Sequence, residues 1–141
     1  MPAAAVVHET AHQWFYSLVG DDQARDPWLD ESLAEWATAR LTGNVLGEAS
    51  TDVDARVRNH LGEPMTFWGP LPFRPLVWDG LCMQGVKALA SLGDDDRVDC
   101  ALSAYVHAEA YRTAVPDDLL AALSPRFADA EAVLTGFGAR F

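Results

Sequence analysis

Cysteine, basic residues and long apolar runs are all scarce in this sequence, and each shortage narrows what the protein can do. Two cysteines, Cys82 and Cys100, cannot make a disulfide framework. They fall on separate predicted helices, where one disulfide and two buried thiols are both compatible, and Cys100, among Val98, Ala101 and Leu102, reads as a small core residue. Ten basic residues against 21 acidic ones give a formal net charge of −11. That field repels nucleic acid and anionic lipid, which disfavours nucleic-acid binding. No stretch approaches the roughly 18 apolar residues of a membrane span, and MPAAAVVHET has neither a basic leader nor a cleavable apolar segment. The chain therefore reads as soluble, with its compartment open. Convincing alternating strands, repeats and low-complexity tracts are missing as well.

What is present is one core's worth of apolar residues, half of 141, with no linker to divide them, so residues 1–141 read as a single domain. The pattern predicts a helix over 2–19, with Pro2 in the first turn and Gly20 as its stop. A polar connection through Asp21, Asp22, Asp26 and Pro27 leads to a second helix over 28–41, ended by Gly43 and Asn44. Ser50 or Thr51 caps a predicted third helix through Leu61. Gly62, Pro64, Gly69, Pro70, Pro72 and Pro75 then predict a long loop whose Phe67, Trp68, Phe73 and Trp78 pin it to the core. Further helices are predicted after Gly80 to about Leu92, over 97–111, from Pro116 to Leu123 and over 128–134. The fold class implied is mainly α, a helical bundle or array.

The chemistry concentrates at one place. His8 and His12 are four residues apart, which on a helix stacks both imidazoles on one face, able to hold one metal, with Glu9 beside them. H-E-x-x-H is a zinc signature in which the glutamate is the general base. A catalytic zinc takes three protein ligands and leaves a fourth position for water. The extended pattern that supplies a third histidine requires glycine and histidine where this chain has Phe15 and Leu18. A glutamate on the next helix is the other solution, and Glu31 stands in WLDESLAEW, where Trp28, Leu29 and Leu33 would bury it. Glu35, one turn later, could accept a hydrogen bond from the second nitrogen of a zinc-bound histidine, or be a solvated glutamate on an amphipathic helix. Trp14 and Trp36 read as packing between the two helices. His60 and His107 have no ligand-spaced partners and read as ordinary histidines.

HETAHQWF, followed by eighteen residues between His12 and Glu31, resembles the M1 aminopeptidase family of gluzincins. The resemblance runs from about Val6 to Leu123 and covers the helical, C-terminal part of a thermolysin-like catalytic domain. It implies one Zn2+ held by His8, His12 and Glu31, Glu9 polarising the zinc-bound water, and a peptide substrate. Two departures accompany it. The family's helix-opening tyrosine, a donor to the oxyanion, aligns with Cys82 in CMQGVKALASLG, or with Trp78 after a small gap. The saddle-like β domain, the catalytic-domain sheet and the Gly-x-Met-Glu-Asn motif that reads a substrate's free amino group are not in this sequence, so a missing upstream region or a partner chain would have to supply them. Two readings follow from this. One is zinc-dependent peptide hydrolysis; the other is a non-catalytic helical domain that zinc stabilises for interaction with a partner.

Overall fold

A computed structural model describes residues 3–141, so the expected placement of Pro2 in a first helical turn lies outside the described residues. Helix α1 spans Ala3–Ala11, shorter than the predicted 2–19. Beyond it the amides of Ser17, Leu18 and Val19 reach back five residues, to the carbonyls of His12, Gln13 and Trp14, at 3.0, 3.1 and 3.0 Å. Tyr16 reverses the chain with φ +121°. The H-E-x-x-H motif therefore sits at the C-terminal end of α1 rather than in mid-helix.

Helix α2 (Trp28–Thr42) matches its prediction closely. Asp30 and Glu31 in its first turn complement the helix dipole, and Gly43, at φ +71°, turns its N–H onto the Ala39 and Arg40 carbonyls. It is the central helix. Trp28, Leu29, Leu33, Trp36 and Ala39 are buried, and so are the polar Asp30, Ser32, Glu35 and Thr38. Each buried polar group needs a partner. Ser32 Oγ donates to the Leu81 carbonyl at 2.8 Å and Thr38 Oγ1 to that of Ala34 at 2.9 Å. Asp30 and Glu35 face the site described below.

The next stretch departs from expectation. Helix α3 is Val45–Ala49, and Ser50 closes it by donating its N–H to the Leu46 carbonyl instead of opening a helix through Leu61. The predicted long loop contains α4 (Met65–Trp68) and a wide π-type segment, Phe73–Met83, broken at Arg74 and continuing into α5 (Gln84–Ala90). Gly80 is inside this run, not at its start. A Cβ there would lie 2.4 Å from Trp68 Cζ3, so glycine is needed to admit the fully buried indole. Trp68 pins the segment as predicted, whereas Phe73 is 61 % exposed.

Helix α6 (Asp95–Glu109) is capped by Asp94, whose side chain accepts from Arg97 N–H at 3.0 Å. It carries Cys100 on its exposed face, contrary to the core placement expected, because Val98, Ala101, Leu102 and Tyr105 occupy the buried one. Helices α7 (Pro116–Leu123) and α8 (Ala130–Gly136) complete the array. Among the described residues, named strands are limited to β1 (Gly20–Asp21) and β2 (Thr113–Ala114), paired in parallel, which tie the end of the α6 connection to the turn after α1. The fold is mainly α, as predicted, and among the described residues no helix is long and apolar enough to cross a membrane.

Helix α2 is held between α1 and α5. Its approach to α5 is set by Gly85, where a Cβ would fall 2.0 Å from Ser32 Oγ and 3.0 Å from Ser32 Cα. Gly85→Ala is therefore expected to force the two helices apart and lower stability by about 2–3 kcal/mol, measured by urea unfolding. Ordinary stability in that variant would mean that the α2–α5 contact is looser than described.

Candidate metal centre

Helices α1 and α2 bring His8, His12 and Glu31 together, with one ligand atom from each within 4.8 Å of the others. His8 Nε2 lies 3.2 Å from His12 Nε2 and 3.3 Å from Glu31 Oε2. The other nitrogen of each histidine is already engaged. His8 Nδ1–H donates to Glu35 Oε2 at 2.6 Å, and His12 Nδ1–H donates to the Phe15 carbonyl at 3.1 Å. Both Nε2 lone pairs therefore converge on one point beside a carboxylate. Two ligands of a tetrahedral zinc, each about 2.0–2.1 Å from it, are about 3.3 Å apart. The donor set fits that ion in chemistry and, for His8 with each partner, in spacing, while His12 Nε2 and Glu31 Oε1 stand 4.0 Å apart. Without a cation the two lone pairs would repel, and a proton substitutes for one. Burial works against charge on His8, but Glu31 and Glu35 outweigh it and raise its pKa to about 9.

Glu31 faces the cleft with its side chain 32 % exposed, while Trp28, Leu29 and Leu33 bury the core side of the helix rather than Glu31 itself. Burial opposes its ionisation, yet His8, His12 and the Cys82 thiol together hold its carboxyl below the ordinary value. Cys82 is buried and lies 3.6 Å from Glu31 Oε2; burial, then the Glu31 charge, push the thiol well up, so it stays protonated and donates. Behind Glu35 sits the buried Glu48, whose pKa is raised to about 7 by burial and by the neighbouring Glu35 charge.

These groups open onto a cleft of about 450 Å³. His8, Glu9, His12 and Glu31 line it, with Glu9 exposed, and Tyr16, Phe73 and Trp78 form its rim. The Trp78 ring sits 5.5 Å from that of His8. Cys82 does not line this cleft; it backs Glu31 from a neighbouring apolar pocket of about 280 Å³. Trp14 is 50 % exposed, so of the two tryptophans expected between α1 and α2 only Trp36 is buried. His60 stacks on Phe67 and His107 bonds the Ser103 carbonyl, away from the cleft. Tyr16 and Gln23 are cleft residues that the sequence does not single out. The one sequence signal for Tyr16 is a bulky residue in the turn that ends α1, a turn whose pattern predicts helix.

Beside the centre, both carboxylate oxygens of Asp21 are buried with no hydrogen-bond partner among the described residues. Burial, then the charges of Asp30, Asp26, Asp22 and Glu31, raise its pKa to about 7. A carboxyl whose folded pKa lies above its unfolded value favours folding when protonated. Its contribution is lost as pH rises from about 4 to 7. Asp21→Asn is accordingly expected to stabilise the metal-free chain by ~1–2 kcal/mol at pH 8, after allowance for solvent screening, and to change nothing near pH 4. Thermal melts at the two pH values check the difference.

Fold and donor set together define the class: the helical part of a metallopeptidase domain. Residues 2–65 match the family model described as the Peptidase family M1 domain. The chain is 31 % identical over 136 residues to human "Aminopeptidase RNPEPL1", covering 82 % of this chain and 18 % of the relative. It is 28 % identical over 143 residues to human "Aminopeptidase B", covering 84 % and 21 %. A Deinococcus radiodurans structure described as an M1 zinc metallopeptidase mutant bound to a Tyr-Ser-Ala substrate superposes with a TM-score of 0.67 at 25 % identity, over 99 % of this chain and 33 % of that one. The chain is similar to the M1 peptidase family, matching its domain model over residues 2–65 and a helical part of its solved structure. It spans about a fifth of the length of these curated relatives and a third of the solved structure.

Proposed function

We propose that this chain, as a single helical domain over 1–141, binds one zinc ion and hydrolyses peptide bonds in the manner of an M1 aminopeptidase. The observation that carries this reading is the convergence of two Nε2 atoms 3.2 Å apart, each imidazole fixed through its other nitrogen, beside a carboxylate oxygen 3.3 Å away. His8, His12 and Glu31 would hold the metal. Bound zinc supplies a Lewis acid that polarises the carbonyl and lowers the pKa of its water to about 7.

The rest is done by the chain. Glu35 orients His8 through Nδ1, and the Phe15 carbonyl does the same for His12, so neither ring can rotate its Nε2 out of the site. Glu9, exposed in the cleft, accepts a proton from the attacking water as the water oxygen bonds to the carbonyl carbon. It returns that proton to the amide nitrogen as the C–N bond breaks. Cys82 holds Glu31 from behind and keeps its carboxylate turned toward the cleft. The sheet and amino-group anchor of a whole M1 enzyme would come from a further region or a partner chain.

Purified chain, supplied with one equivalent of zinc, is assayed on amino-acid arylamides and short peptides with and without chelator. Chelator-sensitive release of product is expected. Stoichiometric zinc with no hydrolysis of any substrate would contradict the peptidase reading and favour a zinc-stabilised interaction domain.

A further inference from the structure

Tyr16 occupies a backbone conformation, φ +121°, that a residue bearing a side chain adopts only under constraint. Two bonds impose it. Tyr16 N–H donates to the Val19 carbonyl at 2.9 Å, and the Phe15 carbonyl just before it accepts from His12 Nδ1. The reversal therefore fixes a candidate metal ligand, and it leaves the tyrosine on the cleft rim, 47 % exposed, beside His8, Glu9, His12 and Glu31. Glycine would make the same turn without strain. A large aromatic kept there against that cost points to a task for its ring or its hydroxyl.

Hydrolysis of a peptide places negative charge on the carbonyl oxygen, and that oxygen needs a donor separate from the base. Several other donors in and behind the cleft are already engaged. The Gln23 amide donates to Asp30, the Cys82 thiol to Glu31, and the two imidazole Nδ1–H groups to Glu35 and Phe15. The Trp78 ring forms a wall, with the Arg74 guanidinium 4.5 Å above it and His8 and Phe73 against it, and its indole N–H has no hydrogen bond to the described residues. The Tyr16 phenol has no hydrogen bond to the described residues, which leaves its O–H free to donate.

We propose that Tyr16 is a catalytic residue: its O–H donates a hydrogen bond to the carbonyl oxygen of the scissile bond as the tetrahedral intermediate forms, and keeps its proton throughout. This rests on the peptidase reading above. Tyr16→Phe retains the ring and the turn and removes only the donor. In the zinc-loaded chain it is expected to lower kcat on an amino-acid arylamide by roughly 10²–10³-fold, with KM and zinc content unchanged. A peptide phosphonate, whose oxygens imitate the intermediate, should bind the Phe variant at least about tenfold more weakly. Tyr16→Gly, which relieves the turn, should melt at a higher temperature yet be no more active than the Phe variant. A purely structural tyrosine would give the reverse, an active Phe variant and a perturbed Gly variant. Wild-type hydrolysis with the Phe variant unchanged in kcat and phosphonate affinity overturns the role of Tyr16 alone. A zinc-loaded wild type that neither hydrolyses peptide nor binds the phosphonate overturns the peptidase reading and, with it, the role of Tyr16.

Discussion

Glu9→Gln is expected to abolish peptide hydrolysis while leaving zinc bound. The substitution preserves the size of the side chain and its exposed position in the cleft, and it touches none of the three candidate ligands. What it removes is the capacity to take a proton from water. General-base catalysis contributes roughly 10²–10⁴-fold, so kcat should fall by that factor while zinc content and KM stay near wild type. Zinc content measured by atomic emission, alongside kcat on an arylamide, separates the two effects. Unchanged turnover in the glutamine variant would remove Glu9 from the mechanism. Lost zinc would show that Glu9 serves the metal rather than the reaction.

Glu31→Ala should have the opposite signature, with zinc affinity collapsing first and activity following. The carboxylate is one of three converging donors and the only anionic one, so its removal leaves two neutral imidazoles to hold a dication. Zinc sites assembled by a few side chains are worth on the order of 10–16 kcal/mol, and the loss of one ligand should raise the Kd by about 10²-fold or more. Glu35→Gln provides the graded comparison. It keeps a hydrogen-bond acceptor 2.6 Å from His8 Nδ1 but loses the charge, and partners of this kind are worth roughly 10–100-fold in affinity. Competition with a fluorescent chelator reads both constants. Equal zinc affinity in wild type and the Glu31 variant would dismiss Glu31 as a ligand.

Much of this arrangement could be read from residues whose meaning is local. Gly43 marks the end of α2 because the left-handed turn it makes suits glycine, and the four-residue spacing of His8 and His12 needs only one turn of helix to become a shared face. The spacing to Glu31 and the setting WLDES pointed to the helix that sits across from α1. Illegible features depend on distant partners. Nothing near Tyr16 announces a positive φ, since that turn is stabilised by Val19 and by His12 reaching back to Phe15. Gly80 reads as the break before a helix, yet it lies inside the π-type segment and its smallness serves the Trp68 ring from another segment. Ser50 resembled an N-cap and in fact closes α3. Cys82 was legible as the residue aligned with the family's tyrosine, but its bond to Glu31 depends on the packing of α2 against the π-type segment.

All of the chemistry above depends on the three donors holding an ion. The most direct measurement is the metal content and melting temperature of the purified full chain, before and after exhaustive chelation and after return of one equivalent of zinc. One zinc per chain, lost to chelator and regained with a higher melting temperature, is the expected result. A chain that takes up no zinc and melts identically in all three states would contradict the assignment of His8, His12 and Glu31 as a metal site.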